Sequence, residues 1–498
     1  MSQILYAKYF DFKPFKLALF YIAILELLSW LTWGNKWLHQ FIFILILLVT
    51  FEVYKKSKIN GLLIILAELF IGSFGRLYVY EFGSINIPIR YALFLIIILP
   101  FYWLNRKPIM SLRWVKIIQR NFFYLNYAVF LALVSLGIIL GLLFNTSTVL
   151  QDANAWGYFA LLPIFLVTVK VKHLPKIIAV LTASVTWLTF KTTVTTFLFS
   201  YNLAYLGSPF YRWIRDTRVG EITYISGTLY RVFIQSQIFS LITFFIFLAL
   251  FLWLYQKSEL EKFIRWLIFA IIATSFTVFL SQSRSFWVSG LATLAIFIVY
   301  YLFQEKLNLK KLFFVISFLI VLIFFNGSMI YVFTGTPPIQ VIKARVENIG
   351  QEPGGSSRRN QLLPLINEIK KRPFFGHGFG KQITYESNDP RVRALTTNGQ
   401  YTTYAFELAY LDVALKIGLL GLLAYLILLG YIGFKLFLIS LADNTYRPIY
   451  IGLLFGLVAL VSAHAFTPFL NHPLGIGYVL ILSAIVSNSS LKWNPLTH

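Results

Sequence analysis

Apolar runs of about 20 residues recur from one end of the chain to the other, separated by short polar stretches. A run of that length reads as an α-helix crossing a membrane, because ~20 residues rising 1.5 Å each match a hydrocarbon core of ~30 Å. The pattern predicts about fourteen spans, at 15–34, 37–54, 60–75, 89–104, 121–144, 153–170, 176–200, 234–256, 263–281, 286–303, 312–333, 413–438, 448–466 and 471–488. An outer-membrane barrel would alternate apolar and polar positions in short segments, and these runs do not alternate. The expected fold is therefore an all-α polytopic membrane protein with one large outer loop that carries amphipathic helices. It divides into a bundle of about eleven spans over 1–333 with an outer loop at 201–233, the large loop 334–406, and the last spans over 407–498.

Within the large loop, PPIQVIKARVENIG places Ile339, Ile342, Val346 and Ile349 on a helical stripe, and RRNQLLPLINEIKK repeats it with Leu362, Leu365, Ile366 and Ile369. QEPGGSS, between them, reads as a flexible turn. YAFELAYLDVALKIGLLG, at the edge of the twelfth span, sets Glu407, Asp412 and Lys416 into an otherwise membrane-like pattern. Asp412 and Lys416 are four apart and read as a structural pair. Glu26 and Glu68 lie inside spans, where an ionisable side chain needs a partner or a function.

Composition agrees with the pattern and charge complicates it. Of 498 residues 58% are hydrophobic and 12% charged, against about 25% charged in soluble domains. No cysteine is present, which removes disulfides and thiolate chemistry. The N-terminal MSQILYAKYFDFKPFK is too long and aromatic for a secretory n-region, so the first span is expected to be retained. The net charge of +24 is read as membrane topology rather than as a footprint for nucleic acid. Basic clusters at Lys55–Lys58, Arg106–Arg120, Lys170–Lys176, Lys257–Arg265 and Lys306–Lys311 all fall on one side, which the positive-inside rule makes cytoplasmic, together with both termini. The outer loops 201–233 and 334–405 should then be poor in basic residues, and both are rich in them. That excess points to an anionic ligand on the outer face.

Several residues carry this further. Arg284, in FLSQSRSFWVSG, sits at a bend between two spans, where it either snorkels or grips a charge. Tyr211, Trp213, Tyr385 and Tyr401 are outer-face aromatics suited to stacking on sugars or to the interfacial belt. Glu347 is an alternative base to Glu407 in the outer loop.

Three motifs in chain order resemble the O-antigen ligase and polysaccharide polymerase superfamily. SRSFWVSGLATLA is similar to its serine–arginine helix start. SRRNQLLPLINEIKKRPFFGHGFG resembles its outer-loop signature of an arginine, a helix and a Gly-x-Gly-x-Gly turn. FELAYLDVALKIGLLG resembles its closing signature, a polar residue followed by Gly418 and Gly421. The resemblance implies a glycosyltransferase using undecaprenyl-pyrophosphate-linked glycan in the bacterial inner membrane, with the active site facing outward. It implies no cofactor and no metal, and the chain has no Asp-x-Asp motif. By residue, Arg284 and Arg359, with Arg358 as the adjacent alternative, match the arginines that hold pyrophosphate. Arg231 resembles a further arginine before a span, and Arg345 is added as a candidate. Glu407 stands where the ligases carry histidine, and His377, inside the glycine turn, does not replace it.

The carboxylate favours a repeat-unit polymerase over a ligase moving a finished glycan to lipid or protein. A flippase or exporter is the reading from another class, and it would need ionisable residues along a central path. Arginine forks suit a departing pyrophosphate, and Glu407, expected to be ionised at rest, suits a general base. Tyr401, Tyr404 and Tyr410 are the candidate sugar contacts. Expected partners are the bilayer, the lipid-linked oligosaccharide, a chain-length regulator and a flippase.

Overall fold

The computed structural model describes residues 8–104, 121–145, 147–256, 261–304, 309–347, 353–387, 393 and 399–489. The chain opens with helices α1 (Phe12–Thr32), α2 (Lys36–Lys56) and α3 (Lys58–Ile71), a hairpin of β1 (Val79–Phe82) and β2 (Ile85–Pro88), and α4 (Ile89–Leu104). Next come α5 (Phe122–Phe144), the short α6 (Val149–Ala153), a 3₁₀ stretch over Asn154–Leu161, α7 (Leu162–Thr168) and α8 (Leu174–Ser200). The short α9 (Pro209–Asp216) leads into a second hairpin, β3 (Glu221–Ser226) and β4 (Leu229–Phe233). Four long helices follow: α10 (Ile238–Gln256), α11 (Glu261–Leu280), α12 (Arg284–Phe303) and α13 (Leu309–Thr334). The segment before the last spans holds α14 (Pro338–Glu347), α15 (Pro353–Lys371) and the hairpin β5 (Ile383–Glu386) with β6 (Gln400–Thr403). Helices α16 (Ala409–Ala442), α17 (Arg447–His464) and α18 (Pro473–Asn488) complete the described chain.

Among the described residues ten helices are long and apolar enough to cross a membrane, and α4 and α18 are shorter apolar helices. The protein is an all-α polytopic membrane protein, as its pattern predicts. The expected span 153–170 differs in form: it is a 3₁₀ stretch of 8 residues followed by a 7-residue α-helix. Their combined rise of about 27 Å is close to the thickness of a hydrocarbon core. Hydropathy alone does not distinguish the two helix types.

Helices α10 and α17 form the centre, and nearly every residue of α10 is buried. They pack closely because of Gly452, where a Cβ would lie 2.4 Å from the Cα of Ile246. The outer helices instead expose Leu31, Phe41, Leu143, Phe303 and Phe324, as a lipid-facing surface does. Both mid-span carboxylates are paired. Lys191 lies 2.6 Å from Glu26, and Arg90 reaches Glu68 through Nε at 2.8 Å and Nη2 at 3.0 Å.

One end of the bundle gathers both arginine-rich loops. Thr228 in the second hairpin donates to the carbonyl of Thr334 at the end of α13 (2.7 Å), and Gln282 donates to the carbonyl of Tyr230 (3.2 Å). The hairpins were not foreseen, because four-residue strands between apolar helices leave little alternation to read. QEPGGSS is not a free turn: Pro353 opens α15, where its fixed φ and missing N–H suit a first helical position. On α14 the buried residue is Val341, while Ile339 and Ile342 are exposed. On α15 the expected stripe holds at Leu365 and Ile369, which pack with Phe406 and Leu415.

Candidate functional site

Helix α15 presents Ser357, Arg358 and Gln361 towards the chain just before α16. Positions one helical turn apart meet the same neighbour, and here the neighbour is Glu407. Arg358 Nε lies 3.0 Å from Glu407 Oε2. The Glu407 backbone N–H donates to Gln361 Oε1 at 3.1 Å, and the Ser357 hydroxyl lies near enough to favour its charged form. Gln361 is buried, and its amide also donates to Ser357 Oγ (2.9 Å) and Tyr385 Oη (3.0 Å). Next in the chain, the buried ring of Phe406 anchors the segment against α15. The pair stays within reach of solvent, with side-chain exposures of 29% for Arg358 and 38% for Glu407.

Arg231 approaches from the second hairpin. It sits opposite Thr223 across the strands, its guanidinium lies 4.6 Å from the centre of the Phe233 ring, and its charge acts on Glu407. Burial pushes the Glu407 carboxyl above its ordinary pKa, and Arg358, the Ser357 hydroxyl and Arg231 pull the other way without overcoming it. A base that holds its proton more tightly while ion-paired in its charged form suits proton abstraction from a hydroxyl.

The other predicted residues fall as follows. Arg284 is the first residue of α12 and half-buried, and the Gln282–Tyr230 hydrogen bond sets its helix start beside the strand of Arg231. Arg359 is exposed, one position round α15 from the contact Arg358 makes. The backbone of Arg345 lies in α14, while its side chain and that of Glu347 lie outside the described residues. Tyr404 donates to Gln151 at 3.2 Å, and Tyr401 packs edge-on against Tyr385 across the third hairpin. Tyr410 donates to the Val461 carbonyl at 2.8 Å, which commits its hydroxyl to packing. Trp213 and Tyr385 are buried, so neither is an outward stacking platform. Ser357 and Gln361 were missed, although their i, i+4 spacing beside Arg358 was the available signal.

A second charged cluster lies nearby. Buried Lys416 contacts both Asp152 and Asp412, the latter at 2.7 Å. Asn471 donates to Asp412 (2.8 Å), and the Gly380 N–H donates to Asp152 (2.7 Å). Asp412 and Lys416 thus have the structural geometry expected of them, with Asp152 as an unforeseen third member. Among the described residues no three histidine, aspartate or glutamate side chains converge as metal ligands would.

The Gly-x-Gly-x-Gly turn braces this arrangement. Gly376, Gly378 and Gly380 have φ of 73°, 84° and 78°, which side chains with a Cβ rarely adopt. Gly418 (φ 74°) interrupts α16, and a Cβ there would come 2.0 Å from the carbonyl oxygen of Phe374. At the break Leu419 N–H donates to Pro373 and Leu420 N–H to Phe374, while Leu415 and Lys416 carbonyls accept from His377 and Gly378. His377 therefore serves the turn. Its ring bonds to the Glu368 carbonyl at 2.8 Å, about 15 Å along α15 from Arg358.

These features define a helical integral membrane protein whose one end joins a partly open carboxylate to arginines from separate elements. Residues 269–426 match the model of the O-antigen ligase family, which supports the resemblance to the ligase and polymerase superfamily. The match runs from α11 past the break in α16 and contains Arg284, Arg358, Glu407 and the glycine turn, while Arg231 lies outside it. No match was found among curated proteins.

Proposed function

We propose that the protein is a polysaccharide repeat-unit polymerase. It transfers a glycan from undecaprenyl pyrophosphate to a hydroxyl of a lipid-linked acceptor repeat, at the outer face of the bacterial inner membrane. The observation that carries this reading is the Arg358–Glu407 pair with Arg231 beside it, the pair lying in the segment that matches the O-antigen ligase family.

The chemistry follows from the charges. Glu407 takes the proton of the acceptor hydroxyl as its oxygen bonds to the anomeric carbon of the donor sugar. The bond from that carbon to the pyrophosphate oxygen breaks, and the lipid pyrophosphate leaves with the electron pair. Arg231, Arg284 and Arg358 stabilise the negative charge that grows on the leaving group, and arginine's fork pairs two phosphate oxygens at once. Arg358 serves Glu407 at rest, so donor binding is expected to draw its guanidinium towards phosphate and leave the carboxylate a stronger base.

The test is a chain-length gel with purified protein and a synthetic undecaprenyl-pyrophosphate repeat unit. Wild type is expected to give a ladder and Glu407→Gln none. A single transfer to a lipid or protein acceptor without a ladder would move the reading to the ligase type, and a ladder from both proteins would remove Glu407 from the mechanism.

A further inference from the structure

Two cavities meet at α9, whose sequence PFYRWIRD sorts apolar and polar side chains onto different faces. Phe210 and Trp213 stack with ring centroids 5.9 Å apart. They line a groove of about 430 Å³ with Trp30, Phe190 and Leu203, whose floor holds the self-satisfied Glu26–Lys191 pair. Trp30, Phe190 and Leu203 are exposed, on a flank that hydrocarbon would cover. Tyr211 and Arg215, on the other face, line a polar cavity of about 400 Å³ with Ser73, Arg218 and Thr223.

The polar cavity has unmet hydrogen-bonding demands. Ser73 is buried with φ of 50°, and its hydroxyl has no hydrogen-bond partner. Three residues on, Arg76 stands behind the cavity lining, close enough for its charge to meet that of Arg218, and its Nε is also buried without a partner. Burial, and then the nearby positive charge of Arg218, depress the Arg76 pKa. Arg218 itself has φ of 51°, and non-glycine residues held at positive φ concentrate at functional sites. Two acids stand close by: Asp216 pairs with Arg215 at 2.7 Å, and Glu221 lines the cavity. Among the described residues Arg76 and Arg218 form no ion pair.

An arginine-bearing cavity on one face of a helix and an apolar, membrane-facing groove on the other are the two halves of an amphiphile site. We propose that α9 seats the acceptor lipid. Its phosphate head lies against Arg218 and Ser73, with the charge of Arg76 behind them, and the first isoprene units of its tail lie in the groove of Trp30, Phe190 and Trp213. This rests on the polymerase reading, since transfer between two lipid-linked glycans needs two anchors. The cavity lining includes neither Glu407 nor Arg358, yet it shares Thr223 and Phe233 with the hairpin that carries Arg231. A head group held away from the reacting carboxylate suits an acceptor, whose attacking hydroxyl lies at the far end of the repeat unit from its own phosphate. A donor's pyrophosphate, at the bond being broken, belongs beside Arg231 and Arg358.

The test is native mass spectrometry of the full-length chain titrated with undecaprenyl phosphate, phosphatidylglycerol and inorganic phosphate. Wild type is expected to bind two undecaprenyl phosphates. Arg76→Gln/Arg218→Gln should retain one and bind the second about tenfold more weakly, a loss of ~1.4 kcal/mol, and Ala204→Trp, which fills the groove, should do the same. The Arg76→Lys/Arg218→Lys control should keep both. The site is overturned if both variants keep two lipids, if phosphatidylglycerol competes equally, or if inorganic phosphate displaces the second lipid as well as the carrier does. None of these readouts needs catalysis. A chain that binds two carriers but builds no ladder loses the polymerase reading alone, and one that builds a ladder while its variants keep both lipids loses this site alone.

Discussion

The start of α16 carries one charged cluster, and the chain just before it another, about 14 Å apart along the backbone. Around Lys416, two carboxylates, an asparagine amide and a backbone N–H meet inside the protein, and the Lys416, Asp152 and Asp412 side chains are all buried. Around Glu407, one arginine reaches the carboxylate while more than a third of its side chain remains open. The first cluster is shut away from any ligand. The second keeps an oxygen for one, and its arginines have a second use when phosphate arrives. Two acids close in sequence therefore separate into a fastener and a reagent, and what separates them is how far each is open to solvent.

Breaking each cluster should expose that difference. The largest effect is expected from Glu407→Gln, with a loss of about 10²–10⁴ in turnover if the group is a general base and a melting temperature close to that of wild type. Lys416→Met should do the reverse, because it leaves two carboxylates buried without their cation. It is expected to cost about 3–5 kcal/mol of stability, read as a lowered melting temperature in detergent, and to lose activity only as the fold is lost. Arg358→Gln should fall between them at about tenfold in turnover, with a signature in pH. The ionised base is the active form, and burial already raises its pKa. Removing Arg358, the strongest opposing influence, moves the acid limb of kcat/KM to higher pH, whereas Arg359→Gln should leave the limb in place. The smallest effect is at Glu368. Burial favours its neutral form, but Lys371 and Lys381 bring its pKa down to about 2. Because that lies below its unfolded value, the stability it contributes is present above about pH 4.3 and fades as pH falls towards 2. Glu368→Gln should flatten the melting curve's dependence on pH across that interval.

Much of this was legible in the chain. The apolar periodicity pointed to the helical class, and SRRNQ and FELAY marked two segments that the fold brings together through Arg358 and Glu407. The choice between Arg358 and Arg359 was not legible, because neighbouring helical positions differ by 100° in direction and only the partner helix decides which faces in. Asp152 was missed for a related reason. It lies 264 residues from Lys416, a separation no local pattern spans. Cavities that meet at α9 are likewise a property of packing, although the amphipathic PFYRWIRD was there to be noticed.

The break at Gly418 bears on how such a chain is made. The two hydrogen bonds that an unbroken helix would run from Leu419 to Leu415 and from Leu420 to Lys416 are instead completed through Pro373, Phe374, His377 and Gly378. A helix entering lipid with those four groups unmet would bear several kcal/mol for each. The last spans can therefore settle only after the residues made before them have turned back to receive them. Biogenesis acquires a sequence of events, in which the loop acts as a template for the helix that follows it.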